Sequence, residues 1–277
     1  MTPKGLQPIA QFYTQDGLFD CAWSEENPNH LISVSGDGSM KLWDVESRQG
    51  RPLRAWKEHT QEIYSVDWNM QKKDCFITGS WDRTIKLWSP SQQQSLRTFA
   101  GHAGCIYSAV WDPRSAGRFA SASGDWTVRI WDLRDQRATL NIRAHPTEVL
   151  TVDWNKYQDH ILFSGSVDKS IKMWDLRQPA NPLTELHGHK YAVRRLRCSP
   201  HNGNVVASVS YDRRYHLWDV SKGEAPLVVG SEHHSEFVVG CDFSLFVEGL
   251  VATCGWDCAI AVWKLGSDPR AAVVDWF

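Results

Sequence analysis

The chain has 277 residues, of which 42% are hydrophobic and 22% are charged, and its formal net charge is −2. No stretch approaches the roughly 20 apolar residues of a membrane span, and residues 1–12 lack the apolar run of a secretory signal, so we expect a soluble cytosolic protein. The balanced charge excludes the basic surface that nucleic acid or anionic lipid would need. Fifteen tryptophans are several times an ordinary share, which indicates one structural position filled repeatedly.

The first predicted element is an outer strand, LQPIAQF at residues 6–12, with no neighbouring strand of its own. After it the chain divides into six units of similar pattern, at about residues 14–56, 57–100, 101–144, 145–187, 188–231 and 232–265. Alternating apolar and polar residues predict four short strands in a unit. In the second unit these strands are residues 62–68, 75–80, 84–89 and 95–100.

The sixth unit has no obvious outermost strand. Its three clear strands are residues 237–243, 250–255 and 260–265. Because an unpaired sheet edge invites aggregation, we expect residues 6–12 to pair there as the closing outer strand. The segment AAVVDWF at residues 271–277 competes for the same position, and the C-terminal tail, residues 266–277, has no other assigned role.

A tryptophan recurs in the six units at intervals of 43–45 residues, at Trp43, Trp88, Trp131, Trp174, Trp218 and Trp263. A turn aspartate, a hydroxyl residue and, in most units, a histidine precede it at fixed spacing. In the second to fifth units these sets are His59, Thr78, Asp82 and Trp88; His102, Ser121, Asp125 and Trp131; His145, Ser164, Asp168 and Trp174; and His189, Ser208, Asp212 and Trp218. Because polar groups buried in a sheet need partners, each set predicts a structural hydrogen-bond network.

The same residue types suggest a hydrolytic triad, but a catalytic site is normally singular and this set recurs. We therefore expect no enzymatic activity. Cys254 and Cys258, with His233 and His234 nearby, suggest zinc, yet their spacing is not that of a zinc site. Buried thiols are the preferred interpretation, and seven cysteines without a CxxC pair indicate no disulfide framework. GDGS at residues 36–39 lies in a turn rather than a phosphate loop, so we expect neither a metal nor another cofactor.

The regular spacing of aspartate and tryptophan resembles the WD-repeat family. This resemblance implies an all-β fold, a WD-repeat β-propeller with six recognisable blades of four antiparallel strands, in one domain over residues 1–277. A single four-stranded blade has two apolar faces and cannot bury both alone, whereas stacked blades cover one another. The tryptophans are therefore expected to be structural.

One rim of a propeller is built from residues just after each histidine and just before each turn aspartate. In this chain those positions alternate carboxylates with large aromatics. The candidate peptide-binding residues are Asp16, Phe19, Glu62, Tyr64, Trp81, Tyr107, Glu148, Tyr211, Glu236 and Trp256. Because carboxylates pair with Lys or Arg and aromatics anchor apolar side chains, the rim predicts a groove for a peptide with a cation and apolar anchors. A solvated rim with ordinary exposed aromatics is the alternative.

Longer stretches resemble the peroxin-7 family, the peroxisomal import receptors for type 2 targeting signals. These stretches are DGLFD, HTQEIYSVDW, GSWDRTIKLW, FASASGDWTVRIWD, HKYAVRRL and EHHSEF, and the resemblance runs from about Asp16 to about Trp263. It implies binding of an N-terminal nonapeptide that begins with Arg or Lys and Leu, ends in His or Gln and Leu, and folds as an amphipathic helix.

The resemblance also implies roles and partners. The carboxylates implied for the basic residue of the signal are Glu62, Glu148 and Asp16. The aromatics implied for its apolar stripe are Phe19, Tyr64, Trp81 and Trp256. The implied partners are cargo proteins that carry the signal and a co-receptor, the long form of peroxin-5 or a fungal equivalent. The chain would cycle between the cytosol and the peroxisomal matrix, and would meet the peroxisomal membrane only through the import machinery.

Two expectations remain alternatives at this point. Members of the family usually carry seven blades and this chain begins where their second would start, so either six blades close or the ring stays open. WDLR at residues 131–134 and 174–177 resembles the box by which propellers dock onto a cullin ubiquitin-ligase adaptor. A ligase substrate receptor, or a generic protein-interaction scaffold, is therefore the alternative function.

Overall fold

The computed structural model describes residues 9–47, 50–135, 137–223 and 226–265, and the backbone of residues 271–273. The chain divides into two compact units, which are described separately below. Unit 1 comprises Met1–Phe119 and Asp132–Arg137, and unit 2 comprises Ala120–Trp131 and Ala138–Phe277. Nearly all regular structure in both units is β-strand.

Unit 1 contains two complete antiparallel sheets whose strands follow chain order. The first blade consists of β1 (Leu18–Trp23), β2 (His30–Ser35), β3 (Met40–Asp44) and β4 (Arg54–Trp56). The second blade consists of β5 (Ile63–Trp68), β6 (Phe76–Ser80), β7 (Thr84–Trp88) and β8 (Arg97–Ala100). The division between the units falls within the third blade, which consists of β9 (Ile106–Trp111), β10 (Arg118–Ser123), β11 (Thr127–Asp132) and β12 (Leu140–Arg143).

Unit 2 contains the fourth to sixth blades. The fourth consists of β13 (Val149–Trp154), β14 (Ile161–Ser166), β15 (Ile171–Asp175) and β16 (Thr184–Leu186). The fifth consists of β17 (Val193–Cys198), β18 (Val205–Ser210), β19 (Tyr215–Asp219) and β20 (Leu227–Ser231), with a short 3₁₀ helix, Val220–Lys222, between its last two strands. The sixth has three strands within the described residues, β21 (Val238–Phe243), β22 (Leu250–Gly255) and β23 (Ile260–Lys264).

Residues 6–12 and 271–277 were both expected to compete for the edge of the sixth blade. The described parts of both segments lie away from that edge. Residues 9–12 belong to no strand, and the ring of Phe12 stacks on Trp43 of the first blade at 4.7 Å between centroids. Residues 6–8 lie outside the described residues. From the C-terminal segment, β24 (Ala271–Val273) pairs antiparallel with β20 as a fifth strand of the fifth blade, and residues 274–277 lie outside the described residues.

The turn between the second and third strands of each blade follows one design. The residue after the turn aspartate has a left-handed backbone, with φ between 59° and 77° at Gly38, Arg83, Trp126, Lys169, Arg213 and Cys258. Five of these six residues carry a Cβ, which costs roughly 1–2 kcal/mol in this region. The aspartate side chain offsets that cost. Asp82 Oδ1, for example, accepts hydrogen bonds from Thr84 N at 2.9 Å and Thr84 Oγ1 at 2.6 Å.

The apolar core lies between consecutive blades. In unit 1, Ile32, Val34, Met40 and Leu42 of the first blade pack with Ile63, Val66 and Trp68 of the second. In unit 2 the innermost strand of the fifth blade, β17, packs on β14 and β15 of the fourth. The innermost strand of the sixth blade, β21, packs on β18 and β19 of the fifth. The innermost strands of the second, fifth and sixth blades therefore cover the second and third strands of the blade before them.

This architecture confirms the predicted fold class, an all-β WD-repeat propeller of six blades. The prediction of buried thiols is confirmed for Cys75, Cys198 and Cys241 and is wrong for Cys21 and Cys258, which are exposed. Cys105 and Cys254 are only half-buried. Cys258 is exposed because it occupies the left-handed turn position described above, where the side chain leaves the sheet. The seven cysteines all lie within the described residues, and no disulfide joins them.

Candidate functional site

The rim, as the word is used here, comprises the residues at the start of the innermost strand of each blade and those in the turn between its second and third strands. Backbone hydrogen bonds hold these two parts together. In each bond the N–H of the turn residue donates to the carbonyl oxygen of the residue at the start of the innermost strand. These bonds run from Gly36 to Gly17 at 2.9 Å, from Trp81 to Glu62 at 2.9 Å, from Val167 to Glu148 at 3.1 Å, from Tyr211 to Ala192 at 3.2 Å and from Trp256 to Phe237 at 2.9 Å. The two positions selected from the sequence are thus neighbours within a blade.

A β-bulge lies at the start of the innermost strand in five blades. The register shifts between Leu18 and Asp20, Ile63 and Ser65, Val149 and Thr151, Val193 and Arg195, and Val238 and Gly240. The strand register skips one residue at each of these shifts, namely Phe19, Tyr64, Leu150, Arg194 or Val239. Because a bulge bends the strand and redirects one side chain, it explains why the second residue of these five innermost strands belongs to the rim.

Four aromatic side chains of unit 1 form one continuous cluster at the rim. The ring of Tyr64 stacks on Phe19 at 4.3 Å and on Trp81 at 5.0 Å between centroids. Tyr107 meets Tyr64 at 5.6 Å and Trp81 at 6.0 Å, edge to face in both cases. Phe19 is 37% exposed and the other three are half-buried. The cluster therefore offers solvent a rigid aromatic surface whose rings fix one another.

Two carboxylates belong to the same rim. Asp16 is exposed and Glu62 is half-buried, next to the aromatic cluster in the chain. Asp16 and Phe19 both face Gly36, where an added Cβ would lie 3.2 Å from Asp16 Oδ2 and 3.1 Å from Phe19 Cε2. In this blade a glycine takes the place that Trp81 holds in the second blade, and it leaves room for the carboxylate beside the ring.

The rim of unit 2 has a second, more open aromatic cluster. The ring centroid of Phe237 lies 5.0 Å from that of Tyr211 and 5.2 Å from that of Trp256, with interplanar angles of 46° and 52°. Trp256 is 63% exposed. Of the two predicted carboxylates in this unit, Glu236 is exposed and Glu148 is half-buried.

Two rim aromatics were absent from the predicted set. Phe237 joins Tyr211 to Trp256, and its position three residues after His234 could have identified it. Trp126 is 41% exposed and has the Arg143 guanidinium 5.6 Å from its ring centroid. Trp126 occupies the left-handed turn position, one residue beyond the turn aspartate, and the sequence search stopped one residue before that aspartate.

Beneath the rim lie the hydrogen-bond networks of the framework. In the second blade His59 Nδ1 lies 2.7 Å from Asp82 Oδ2, and His59 Nε2 lies 2.8 Å from Thr78 Oγ1. The indole N–H of Trp88 donates to the same Thr78 oxygen at 2.9 Å. A neutral imidazole with its proton on Nδ1 satisfies every group, since Asp82 can only accept and the Thr78 hydroxyl then donates to Nε2.

The fourth and fifth blades repeat this geometry. His145 bonds Asp168 and Ser164 at 2.8 Å each, and Trp174 donates to Ser164 at 2.9 Å. In the fifth blade the corresponding set is His189, Asp212 and Ser208, at 2.9 Å and 2.7 Å from the histidine, with Trp218 donating to Ser208 at 2.8 Å. In the third blade Trp131 donates to Ser121 at 2.8 Å, while His102 is buried and Asp125 bonds Thr127 in the turn.

The networks change the pKa values of their aspartates. Burial opposes the shift, but the hydrogen bond from His145 and those from Ser170 outweigh it and lower the pKa of Asp168 to about 2. The pKa of Asp212 falls to about 2 against the same opposition from burial, through its hydrogen bond with His189. The pKa of Asp82 lies well below its usual range for the same reason. These carboxylates are therefore charged acceptors at neutral pH.

The two WDLR arginines bond their own repeat. Arg134 is exposed, and its guanidinium Nε and Nη2 lie 2.9 Å and 2.6 Å from the two carboxylate oxygens of Asp132. Arg177 makes the same two-point contact with Asp175. The hydrogen bonds to Arg134 lower the pKa of Asp132 to about 2. The ligase hypothesis stays a prediction.

Among the described residues, no helix combines the length and apolar character needed to cross a membrane. The same part of the chain contains no group of three or more His, Cys, Asp or Glu side chains arranged to hold a metal ion.

The repeats match a known family. The WD domain, G-beta repeat family matches residues 6–44, 50–89, 93–132, 136–175 and 180–219. Together with the six blades and their recurring networks, this match defines the class of the protein as a WD-repeat propeller.

Curated relatives narrow that class. The peroxisomal targeting signal 2 receptor of Dictyostelium discoideum is 65% identical over 89% of this chain and 78% of its own length. The receptor of the same name from Mus musculus is 52% identical over 94% of this chain and 81% of its length. Peroxisome biogenesis protein 7 of Arabidopsis thaliana is 59% identical over 97% of this chain and 84% of its own length. The chain belongs to the family of peroxisomal targeting signal 2 receptors, and the predicted family resemblance is confirmed.

Proposed function

We propose that this chain binds the N-terminal type 2 targeting signal of cargo proteins through its rim. The observation that carries the proposal is the ordered aromatic cluster of unit 1, Phe19, Tyr64, Trp81 and Tyr107, with Asp16 and Glu62 beside it. Two relatives that are 65% and 52% identical to the chain over the aligned residues are named receptors for this signal.

The chemistry of the rim suits an amphipathic helix with a cation at one end. Aromatic rings that already stack on one another lose little conformational freedom on binding, so they suit an apolar stripe of leucines. A carboxylate next to an apolar surface pairs well with Arg or Lys, because the surface partly excludes water from the ion pair. Glu62 is half-buried and is the first choice for that partner. Asp16 and Glu148 are the further candidates.

The rim of unit 2 has the same combination in a looser form. Tyr211, Phe237 and Trp256 contact one another, and Glu236 is exposed near them in the chain. We assign these residues to the same task, as additional contacts for the signal or for the cargo that carries it. The high exposure of Trp256 leaves most of its surface available for a partner.

The remainder of the proposal concerns delivery. The loaded receptor joins a co-receptor, the long form of peroxin-5 or a fungal equivalent, and cargo is imported into the peroxisomal matrix while the receptor cycles back to the cytosol. No catalytic step is required. Only the peroxisomal import machinery, and not the lipid, would contact the chain at the membrane.

The direct test is fluorescence anisotropy of a labelled type 2 signal nonapeptide with the purified chain. We expect saturable binding, and at least about tenfold weaker binding of a peptide whose first basic residue is replaced by Glu. Equal binding of both peptides by a chain that circular dichroism shows to be folded would contradict the proposal. A parallel titration with the co-receptor measures whether the complex binds the signal more tightly than the chain alone.

A further inference from the structure

The GDGS turn of the first blade, residues 36–39, contains two glycines whose missing side chains have different causes. Gly38 has a left-handed backbone with φ of 77°, and an added Cβ would lie 2.7 Å from the carbonyl oxygen of His59. Backbone geometry therefore requires a glycine at residue 38. Gly36 does not have a left-handed backbone, and the atoms that an added Cβ would meet there belong to the side chains of Asp16 and Phe19.

Asp16 and Phe19 converge on the space next to Gly36. An added Cβ would lie 3.1 Å from Phe19 Cε2 and 3.2 Å from Asp16 Oδ2. The other carboxylate oxygen, Asp16 Oδ1, accepts a hydrogen bond from Gly17 N at 2.7 Å, and Gly36 N donates to Gly17 O at 2.9 Å. Because these bonds tie the carboxylate to the turn, Oδ2 and the ring edge occupy the volume that a side chain at residue 36 would need.

Asp37, the acid between the two glycines, is engaged within the turn. Its Oδ1 accepts hydrogen bonds from Ser39 N at 2.9 Å and from Ser39 Oγ at 2.6 Å. Its Oδ2 lies 3.9 Å from Lys57 Nζ. These contacts give Asp37 a structural role, and they make Asp16 the candidate at this turn for binding a cation.

The position of Gly36 carries a side chain in other blades. In the second blade Trp81 holds it and stacks on Tyr64 of the same blade, at 5.0 Å between centroids. Phe19 is the equivalent of Tyr64 in the first blade, and it stacks instead on Tyr64 of the neighbouring blade, at 4.3 Å. A side chain at residue 36 would push the edge of Phe19 out of this stack. The missing Cβ therefore serves two residues that the proposed function assigns to signal binding.

We propose that Gly36 is a specificity-determining residue for the targeting signal, an inference that rests on the proposed function. It is a positioning residue that acts through Asp16. Without a Cβ at residue 36, the carboxylate stands beside the edge of the Phe19 ring, which carries partial positive charge and suits an anion. A carboxylate beside an apolar surface attracts a cation more strongly than one surrounded by water, because the surface excludes part of the solvent. A larger residue at this position should therefore reduce charge selectivity.

The test measures charge selectivity, which a purely structural role would not change. Gly36→Ala and Gly36→Val are compared with wild type by fluorescence anisotropy, using the signal nonapeptide and a copy whose basic first residue is replaced by Gln. Valine occupies the equivalent position in the fourth blade, at Val167, so the turn accommodates it. We expect wild type to prefer the basic peptide by about tenfold, Gly36→Val by about twofold, and Gly36→Ala to lie between them.

A double-mutant cycle tests whether Gly36 acts through Asp16. Asp16→Asn removes the charge and keeps an oxygen that can accept the hydrogen bond from Gly17 N. If Gly36 positions the carboxylate, Gly36→Val should weaken binding of the basic peptide much less in the Asp16→Asn background than in wild type. Additive losses would overturn the proposal, since they would show that residue 36 acts independently of Asp16.

Gly117→Ala controls for the general effect of replacing a glycine. Gly117 lies in the loop between β9 and β10, where an added Cβ would lie 3.9 Å from Leu133 Cβ, an ordinary contact distance. We expect wild-type selectivity from this variant, and circular dichroism and the thermal midpoint of every variant establish folding. An undiminished preference for the basic peptide in folded Gly36→Val would overturn the inference and leave the proposed function standing. Failure of the wild type to bind the signal would overturn both.

Discussion

The framework networks and the rim differ in the way their residues repeat. In the second, fourth and fifth blades the histidine, hydroxyl residue and tryptophan keep the same bonds within 2.7–2.9 Å. The rim position before the turn aspartate instead changes from Gly36 to Trp81, Val167, Tyr211 and Trp256. Sites that recur are constrained by folding, and sites that vary are available for recognition. The contrast predicts that stability and peptide binding can be changed separately.

Tryptophans provide the sharpest way to break this contrast, because the same side chain occurs in both regions. Trp88 is fully buried, while Trp256 is 63% exposed. We expect Trp88→Ala to lower the free energy of unfolding by roughly 3–5 kcal/mol, the usual cost of deleting a buried aromatic. Trp256→Ala should lower it by less than about 1 kcal/mol. Chemical denaturation of both variants measures the difference, and similar losses would show that the two regions are not distinct.

The next effect concerns Tyr64, which contacts the other three rings of the unit 1 cluster. We expect Tyr64→Ala to weaken binding of the signal nonapeptide by about 2 kcal/mol, as central aromatic anchors do. Tyr64→Phe serves as the control, since it keeps the ring and its stacking. The account fails at this point if Tyr64→Ala binds the peptide as tightly as Tyr64→Phe in the anisotropy assay.

The fifth blade should make stability depend on mild acid. His216 is buried and stacks on His189 at 4.1 Å, and burial lowers the pKa of His216 to about 3. The unfolded chain takes up a proton on His216 below its ordinary pKa of 6.5, whereas the folded chain does not. Stability should therefore fall as the pH drops from about 6.5 toward 3, by ~1–2 kcal/mol between pH 7 and pH 5.

His216→Phe tests this assignment because it removes the titrating group and retains a ring. Its free energy of unfolding should change less between pH 7 and pH 5 than that of the wild type. The network aspartates act at lower pH, since their pKa values of about 2 lie below the ordinary 3.8. Their contribution is present above about pH 4 and is lost as the pH falls toward 2. An identical pH profile for His216→Phe and wild type would argue against the role of His216.

The smallest effect is expected at the WDLR arginines. Arg134 is exposed, and its guanidinium hydrogen-bonds the neighbouring carboxylate of Asp132. Because an exposed ion pair contributes little, Arg134→Ala should change the free energy of unfolding by less than about 0.5 kcal/mol. Signal binding should not change either. Co-purification of the chain with a cullin ligase adaptor, lost in Arg134→Ala, is the result that would favour the ligase hypothesis over a solvated arginine.

The repeat made most of the fold predictable from the sequence. Invariant spacing of Asp82 and Trp88, and of their equivalents, located the turns and the third strands, because each unit must solve the same packing problem. The closing strand at residues 6–12 could not be judged in that way. It occurs once, so no repeated pattern constrains its partner, and Phe12 instead contacts Trp43.

The rim was predictable in position but not in arrangement. Counting from His59 and Asp82 selected Glu62, Tyr64 and Trp81, which the structure holds together through a backbone hydrogen bond and ring stacking. The bulges that redirect Phe19 and Tyr64 depend on strand register, which side-chain alternation does not reveal. Trp126 was missed because its exposure follows from a left-handed turn conformation.

The most direct test of the central claim is a charge exchange at Glu62. We predict that Glu62→Lys weakens binding of the type 2 signal nonapeptide by at least about tenfold and leaves the thermal midpoint unchanged, and that a peptide with Glu in place of its first basic residue binds Glu62→Lys more tightly than wild type. Glu25→Lys, at an exposed position in the loop between β1 and β2, is the matched control. Unchanged affinity of folded Glu62→Lys for the signal would contradict the account.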